Sequence, residues 1–142
     1  MALNKPATSS SVLVHGSIPR VASLGNDGDK SGDSLKCAIT NADVNPWWKV
    51  DLGAKARVLR VAVISRSDHY HYRINPFYIR VGDKDADGGV ENAYCAKNAT
   101  VVMGAMKSFD CPSNTIGRYV SINLNKTEHL QIGEVEAYGV YD

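Results

Sequence analysis

The sequence has no apolar run near the ~18 residues that a membrane-crossing helix requires. It has no excess of charge either. Sixteen Lys and Arg stand against fifteen Asp and Glu, a net charge of +1, with no long block of one sign. That balance argues against nucleic acid and anionic membrane as main partners. No segment longer than about ten residues keeps a helical period. No nucleophile elbow is present, no His pair has metal-ligand spacing on a helix, and no Gly-rich phosphate loop follows a strand. Asp68 and His71 would make half of a triad, but no Ser is placed to complete it. A spaced pair of catalytic carboxylates leaves no sequence signature, but nothing points to one, and the chain reads as a non-enzyme. The opening Met1-Ala2-Leu3-Asn4-Lys5-Pro6 has no signal-peptide apolar stretch. Two expectations fit it: a cytosolic protein, or a mature form behind an added Met. Cysteine is scarce and odd in number: Cys37, Cys95 and Cys111. Full pairing within one chain is therefore ruled out.

What remains is 142 residues, 44% apolar and 22% charged, one globular domain over 1–142 with enough chain to bury a core. The strand signals are many and short. Trp47 to Leu52 alternates and ends at Gly53. Arg57 to Ser65 is rich in Val and Ile and reads as a strand buried on both faces. Phe77 to Val81, Val101 to Met103, Arg118 to Leu124 and Leu130 to Tyr138 follow. Strands separated by Gly, Asn, Asp and Pro clusters indicate an antiparallel sandwich or barrel.

Between two of those strands lies the densest polar cluster of the chain, Arg66-Ser67-Asp68-His69-Tyr70-His71-Tyr72-Arg73. A loop carried by two strands is where a rigid scaffold presents functional groups. Two guanidiniums held by one Asp make a fork-shaped donor array, and aromatic faces beside it suit a hydroxyl-rich ligand with one apolar face. A surface salt-bridge cluster is the competing reading. A second cluster, Asp27-Gly28-Asp29-Lys30-Ser31-Gly32-Asp33-Ser34, spaces oxygen side chains as Ca²⁺ prefers. Its twelfth position is Ala38, not Glu, so it is no EF-hand; an ion-free acidic turn is the alternative. Of Trp47 and Trp48, one is expected in the core and the other over a sheet edge or face. His15 and His129 are isolated in polar contexts and carry no signal.

The cluster from Arg57 to Arg73, with Pro46-Trp47-Trp48-Lys49-Val50-Asp51-Leu52-Gly53, resembles the F-type lectins, or fucolectins. Gly117-Arg118-Tyr119-Val120, Gly133-Glu134-Val135-Glu136-Ala137-Tyr138-Gly139 and the opening Leu3 to Ser10 are similar too. The resemblance runs in order over nearly the whole chain. It implies an all-β, eight-stranded antiparallel jelly-roll sandwich of the galactose-binding type, with sugar-holding loops at one end ordered by calcium.

It also implies a site. Arg66, Asp68 and Arg73 match the family's Arg-x-Asp and second basic residue. The family's His falls at Ile39, which has no side-chain donor, so the fucose-type site is altered and its sugar specificity is open to change. His69 and Tyr70 replace a pair of adjacent cysteines found in several members. Tyr70 keeps an apolar face with a polar tip, and a swing of His71 into the space vacated by the absent His is the alternative to a polar loop tip. The implied calcium ligands are the carbonyls of Leu24, Asp29 and Gly133, with the carboxylates of Asp27 and Glu134. Ser34 substitutes for a family Ser whose place Lys36 takes. Cys95 and Cys111 match a family bridge. Cys37 lacks its partner, because Gly133 occupies that place. The expected function is that of a secreted, calcium-stabilised lectin domain for fucosylated or related glycans, weak at a single site and aided by homo-oligomers. Two alternatives remain: a decayed lectin fold serving as a protein-interaction module, and a discoidin-like lipid-binding domain, for which the polar tips of His69 to Tyr72 make poor membrane spikes.

Overall fold

A computed structural model describes every residue from Met1 to Asp142. The chain forms eleven strands: β1 (Ala7–Ser9), β2 (Val14–His15), β3 (Ile18–Pro19), β4 (Ala38–Val44), β5 (Trp47–Ile64), β6 (Phe77–Gly82), β7 (Ala93–Ala99), β8 (Lys107–Asp110), β9 (Ile116–Asn123), β10 (Thr127–Ile132) and β11 (Glu134–Tyr141). All pairings are antiparallel. The regular structure is otherwise limited to four 3₁₀ turns. The all-β antiparallel class expected from the sequence is therefore observed, with more strands than eight because short ladders such as β2–β3 add to the count.

One strand organises the rest. β5 runs for 18 residues. Its first half lies between β1 and β9, and its second half between β11 and β8. The sequence placed a strand end at Gly53; instead the chain continues through it. Gly53 has φ of 86°, a conformation glycine adopts at little cost. The register against β9 shifts between Asp51 and Ala56, so this is a bulge within one long strand. Val61 to Ile64 is buried residue by residue, as a strand covered on both faces must be.

The last expected strand, Leu130 to Tyr138, divides at Gly133. Before it, β10 pairs with β4; after it, β11 pairs with β5. A side chain at 133 would stand 2.9 Å from the carbonyl oxygens of Ile64 and Ser65, so only glycine lets the chain cross there. Val101 to Met103 is not a strand. Val101 N–H and C=O are both taken by the Asn75 side-chain amide, at 2.9 Å each, which leaves no ladder to join.

A cluster of 24 buried residues fills the space beneath the sheets. Trp48 is 1% exposed and donates its indole N–H to the Ala22 carbonyl at 2.8 Å, so its polar edge is satisfied inside the core. Trp47 points the other way, half-buried against Gly88. The Cys95–Cys111 disulfide ties β7 to the segment after β8. Cys37 is a free, fully buried thiol, and burial pushes it up to about 12.

Candidate functional site

The loop from Ser65 to Pro76 leaves the end of β5 and returns into β6. Asp68 organises it. Its carboxylate accepts from the Arg66 Nε at 2.9 Å and from the Tyr70 backbone N–H at 3.0 Å. Its backbone carbonyl takes the His71 N–H at 3.1 Å and meets His71 Nδ1 at 3.0 Å. Burial alone would raise the Asp68 carboxyl, but the Tyr70 N–H and the Arg66 guanidinium outweigh it and hold the group below the usual carboxylate range. Asp68 is therefore an anion that fixes both the turn and Arg66.

Arg66 is further locked from the opposite strand. Its Nη1 donates to Gln131 Oε1 at 2.7 Å, and Gln131 Nε2 donates to the Tyr70 carbonyl at 3.0 Å. Gln131 is 1% exposed, so both ends of a buried amide are spent on the loop. Tyr70 lies between two guanidiniums, with Arg66 Cζ 5.1 Å and Arg73 Cζ 4.0 Å from its ring centre. A cation over an aromatic face is attracted by the ring quadrupole. The Arg73 guanidinium makes no hydrogen bond, and its nearest carboxylate oxygen, on Glu128, is 3.9 Å away. Its donors are free to meet a ligand.

These groups open onto a cleft of about 490 Å³. Arg66, Tyr70, Arg73 and Ile39 line it, as the sequence indicated. Asp68, His69 and His71 do not. His69 packs its ring 4.0 Å from Tyr70, and His71 is held on the Asp68 carbonyl and meets Tyr72 edge-on. They support the loop behind the cleft rather than facing into it. His71 does not enter the space beside Ile39.

The structure adds wall residues that sequence reading passed over: His15 from β2, Arg20 beyond β3, and His129 from β10. The β4–β10 ladder places Ile39 opposite Gln131, and His129, two residues earlier, hydrogen-bonds through Nδ1 to the Thr40 carbonyl at 2.8 Å. Ser34 is also part of this wall, with its carbonyl accepting from Arg20 Nε at 3.0 Å. No hydrogen bond joins it to Asp27 or Glu134.

A second polar centre lies where the Asp27 loop meets β11. Glu134 is 1% exposed, accepts from the Gly28 N–H through Oε2 at 2.8 Å, and has no partner for Oε1. Burial, with the nearby Asp27 and Glu136 carboxylates adding to it against the Gly28 N–H, pushes its carboxyl up to about 8. A buried carboxylate oxygen without a donor is costly. The carbonyls of Leu24, Asp29 and Gly133 accept no hydrogen bond from the protein. The Asp29 carboxylate is turned to the Ser31 N–H. No three acidic, His or Cys side chains converge. A cation here would rest mainly on carbonyl oxygens plus Asp27 and Glu134, an oxygen set that suits a hard ion.

Residues 25–122 match the family model described as a NedA-like, galactose-binding domain. Among curated proteins, fucolectin-5 of Anguilla japonica is 36% identical over 78% of this chain and 59% of its own length. Fucolectin-1 of the same species is 38% identical over 84% of the chain and 67% of its own length. The chain thus spans about six to seven tenths of these relatives. A solved f-lectin from the serum of Morone saxatilis, the striped bass, superimposes with a TM-score of 0.89 at 34% identity, covering 99% of this chain and 47% of that one. A family model matched over more than half of the chain and a relative 38% identical over most of both sequences place the chain in the fucolectin, or F-type lectin, family.

Proposed function

We propose that this chain is an extracellular carbohydrate-binding domain that holds a glycan in the cleft between Arg66, Arg73 and Tyr70. The observation that carries this is Arg73: a guanidinium without a hydrogen bond, stacked 4.0 Å over Tyr70, beside a second guanidinium fixed by Asp68 and Gln131. Pre-set planar donors next to an aromatic edge recognise hydroxyl oxygens at little ordering cost. Fucolectin relatives and the serum f-lectin support a sugar as the ligand and a secreted setting. Ile39 in the wall gives the cleft an apolar patch where the family places a donor, which separates its specificity from plain fucose binding. A shallow single site binds weakly, so activity depends on several copies presented together. The binding step involves no bond making or breaking.

Calcium belongs to the same reading. Asp27, Glu134 and the free carbonyls of Leu24, Asp29 and Gly133 would hold it, and its charge would neutralise the buried Glu134 carboxylate. It would then tie the Asp27 loop to β11.

A glycan array with and without chelator, followed by titration of the best glycan against Arg66→Ala and Arg73→Lys, tests the proposal. Arg66→Ala should abolish binding and Arg73→Lys should weaken it. A glycan that binds wild type and Arg66→Ala equally would place the site elsewhere. The apolar Ile39 patch favours one second reading, a protein-interaction module, which an array without hits would leave standing.

A further inference from the structure

Arg20 is 4% exposed, yet no carboxylate lies within 4 Å of it. Two of its five N–H groups are used, Nε on the Ser34 carbonyl at 3.0 Å and Nη1 on the Ile18 carbonyl at 2.8 Å. The other three have no partner in the protein. Asp33, the acid beside Ser34, turns its carboxylate to the Leu35 N–H instead. Buried charges are ordinarily paired. Here the charge lines the cleft.

The rest of the cleft repeats the imbalance. Three guanidiniums face it, from Arg20, Arg66 and Arg73, with the imidazoles of His15 and His129, and none of its lining residues is acidic. Just behind the lining, Asp68 neutralises Arg66 at 2.9 Å and Glu128 stands loosely at 3.9 Å from Arg73. Three cations against two anions leave one positive charge, and by position it belongs to Arg20. We infer that the cleft is built for a glycan carrying one negative charge, a uronic- or sialic-acid carboxylate or a sulfate ester, held by Arg20 and Arg73. This rests on the lectin reading and names the ligand class for that site.

Two observations make the occupant an acidic sugar rather than a bare ion. The cleft, at about 490 Å³ with Leu13 and Ile39 among its apolar walls, is of ligand-pocket size. His129 is set for a hydroxyl. Its Nδ1 meets the Thr40 carbonyl, which can only accept, so the proton sits on Nδ1. In the neutral ring Nε2 is then an acceptor. A sugar hydroxyl can donate to it; a carboxylate or sulfate oxygen cannot. A guanidinium, by contrast, matches a carboxylate or sulfate with parallel hydrogen bonds.

Calorimetry with the full chain at low ionic strength decides the matter. The probes are the methyl glycosides of glucuronic acid and N-acetylneuraminic acid against their amides, methyl galactoside 3-O-sulfate against methyl galactoside, methyl α-L-fucoside, and inorganic sulfate. At least one acid should bind about tenfold or more tighter than its neutral partner. Added NaCl should narrow that gap. Arg20→Met and Arg73→Gln should each remove most of it. Should Arg20→Met fail to fold, the acid–amide comparison on wild type still decides. Equal binding of acid and amide, or inorganic sulfate binding as tightly as the sulfated sugar, overturns the inference. If methyl fucoside binds through Arg66 with no advantage to any acid, the inference falls and the lectin reading stands. If no probe binds, both fall.

Discussion

Gln131→Met removes one amide and keeps the side chain's length and much of its volume. Two hydrogen bonds disappear with it: the 2.7 Å bond from Arg66 Nη1 and the 3.0 Å bond to the Tyr70 carbonyl. The first is charge-assisted, worth about 1.5–3 kcal/mol; the second is neutral, worth about 0.5–1.5 kcal/mol. Water replaces neither easily, because residue 131 is 1% exposed. The expected loss is about 2–4 kcal/mol. Near the melting point, unfolding entropy of about 2.1 cal/mol/K per residue gives about 0.3 kcal/mol per degree for a chain of this length, so Tm should fall by roughly 7–13 °C. Glycan affinity should fall about tenfold, since Arg66 and Tyr70 lose their common brace. Gln131→Glu keeps an acceptor for Arg66 but sets a carboxylate against the Tyr70 carbonyl, so it should lose the position of the loop while retaining the ion pair. Differential scanning calorimetry and titration of the array-selected glycan read both effects. A Gln131→Met protein with unchanged Tm and unchanged affinity would refute the assignment of Gln131 as the strut beneath the site.

Glu134 gives a pH dependence. Its folded carboxyl titrates near 8 against an ordinary unfolded value near 4.3, so the folded state binds the proton more tightly. Metal-free protein should lose stability as pH rises from about 4.5 to 8, by a few kcal/mol at most, while Glu134→Gln should be flat over that range. Calcium should raise Tm most at the upper end, by mass action, and a Tm indifferent to EDTA in both proteins would remove the ion from the account. The double replacement Cys95→Ala with Cys111→Ala should cost about 3 kcal/mol for a loop of 16-residue separation, seen as a lower denaturant midpoint. Cys37 should resist a thiol reagent in the native state and react on unfolding, because its buried thiol is raised to about 12; prompt labelling would contradict its burial. Ile39→His restores a donor in the wall and should strengthen binding of a neutral fucoside relative to wild type, measured by the same titration.

Much of the site was legible in sequence because it is local. Arg66, Asp68, Tyr70 and Arg73 share one eight-residue stretch, and the bonds of Asp68 to Arg66 and Tyr70 set part of its geometry; the brace from Gln131 is long-range and left no local signal. Long strands were legible for a similar reason: Val61 to Ile64 could only be a doubly covered strand. The missed elements have weaker patterns. β4, Ala38–Val44, buries three residues and leaves the rest largely exposed, so its alternation is faint. With β4 unseen, nothing placed its partner β10, and His129 had no neighbour to give it meaning. His15 reaches the cleft from a two-residue ladder and Arg20 from the residue just after it, a feature shorter than any pattern can register. Pairing β4 with β10 through the Thr40–His129 contact is the step that would have exposed them. The division at Gly133 was hidden because an apolar run reads the same whether it continues or changes partner.

The pairing of β5 with β1 and β9 along its first half and with β11 and β8 along its second bears on how the molecule opens. Amides along β5 and β9 are secured by paired strands on both sides, so they should exchange with solvent deuterium only through global unfolding. The β2–β3 and β4–β10 ladders stand apart from that frame, each with a single partner strand. They should exchange first, by local opening at far smaller free-energy cost. Two walls of the cleft thus belong to the softest part of the molecule, and the third is a loop that springs from the end of the hardest strand. Ligand binding should be felt chiefly as slowed exchange in β4 and β10, with the β5 signals unmoved.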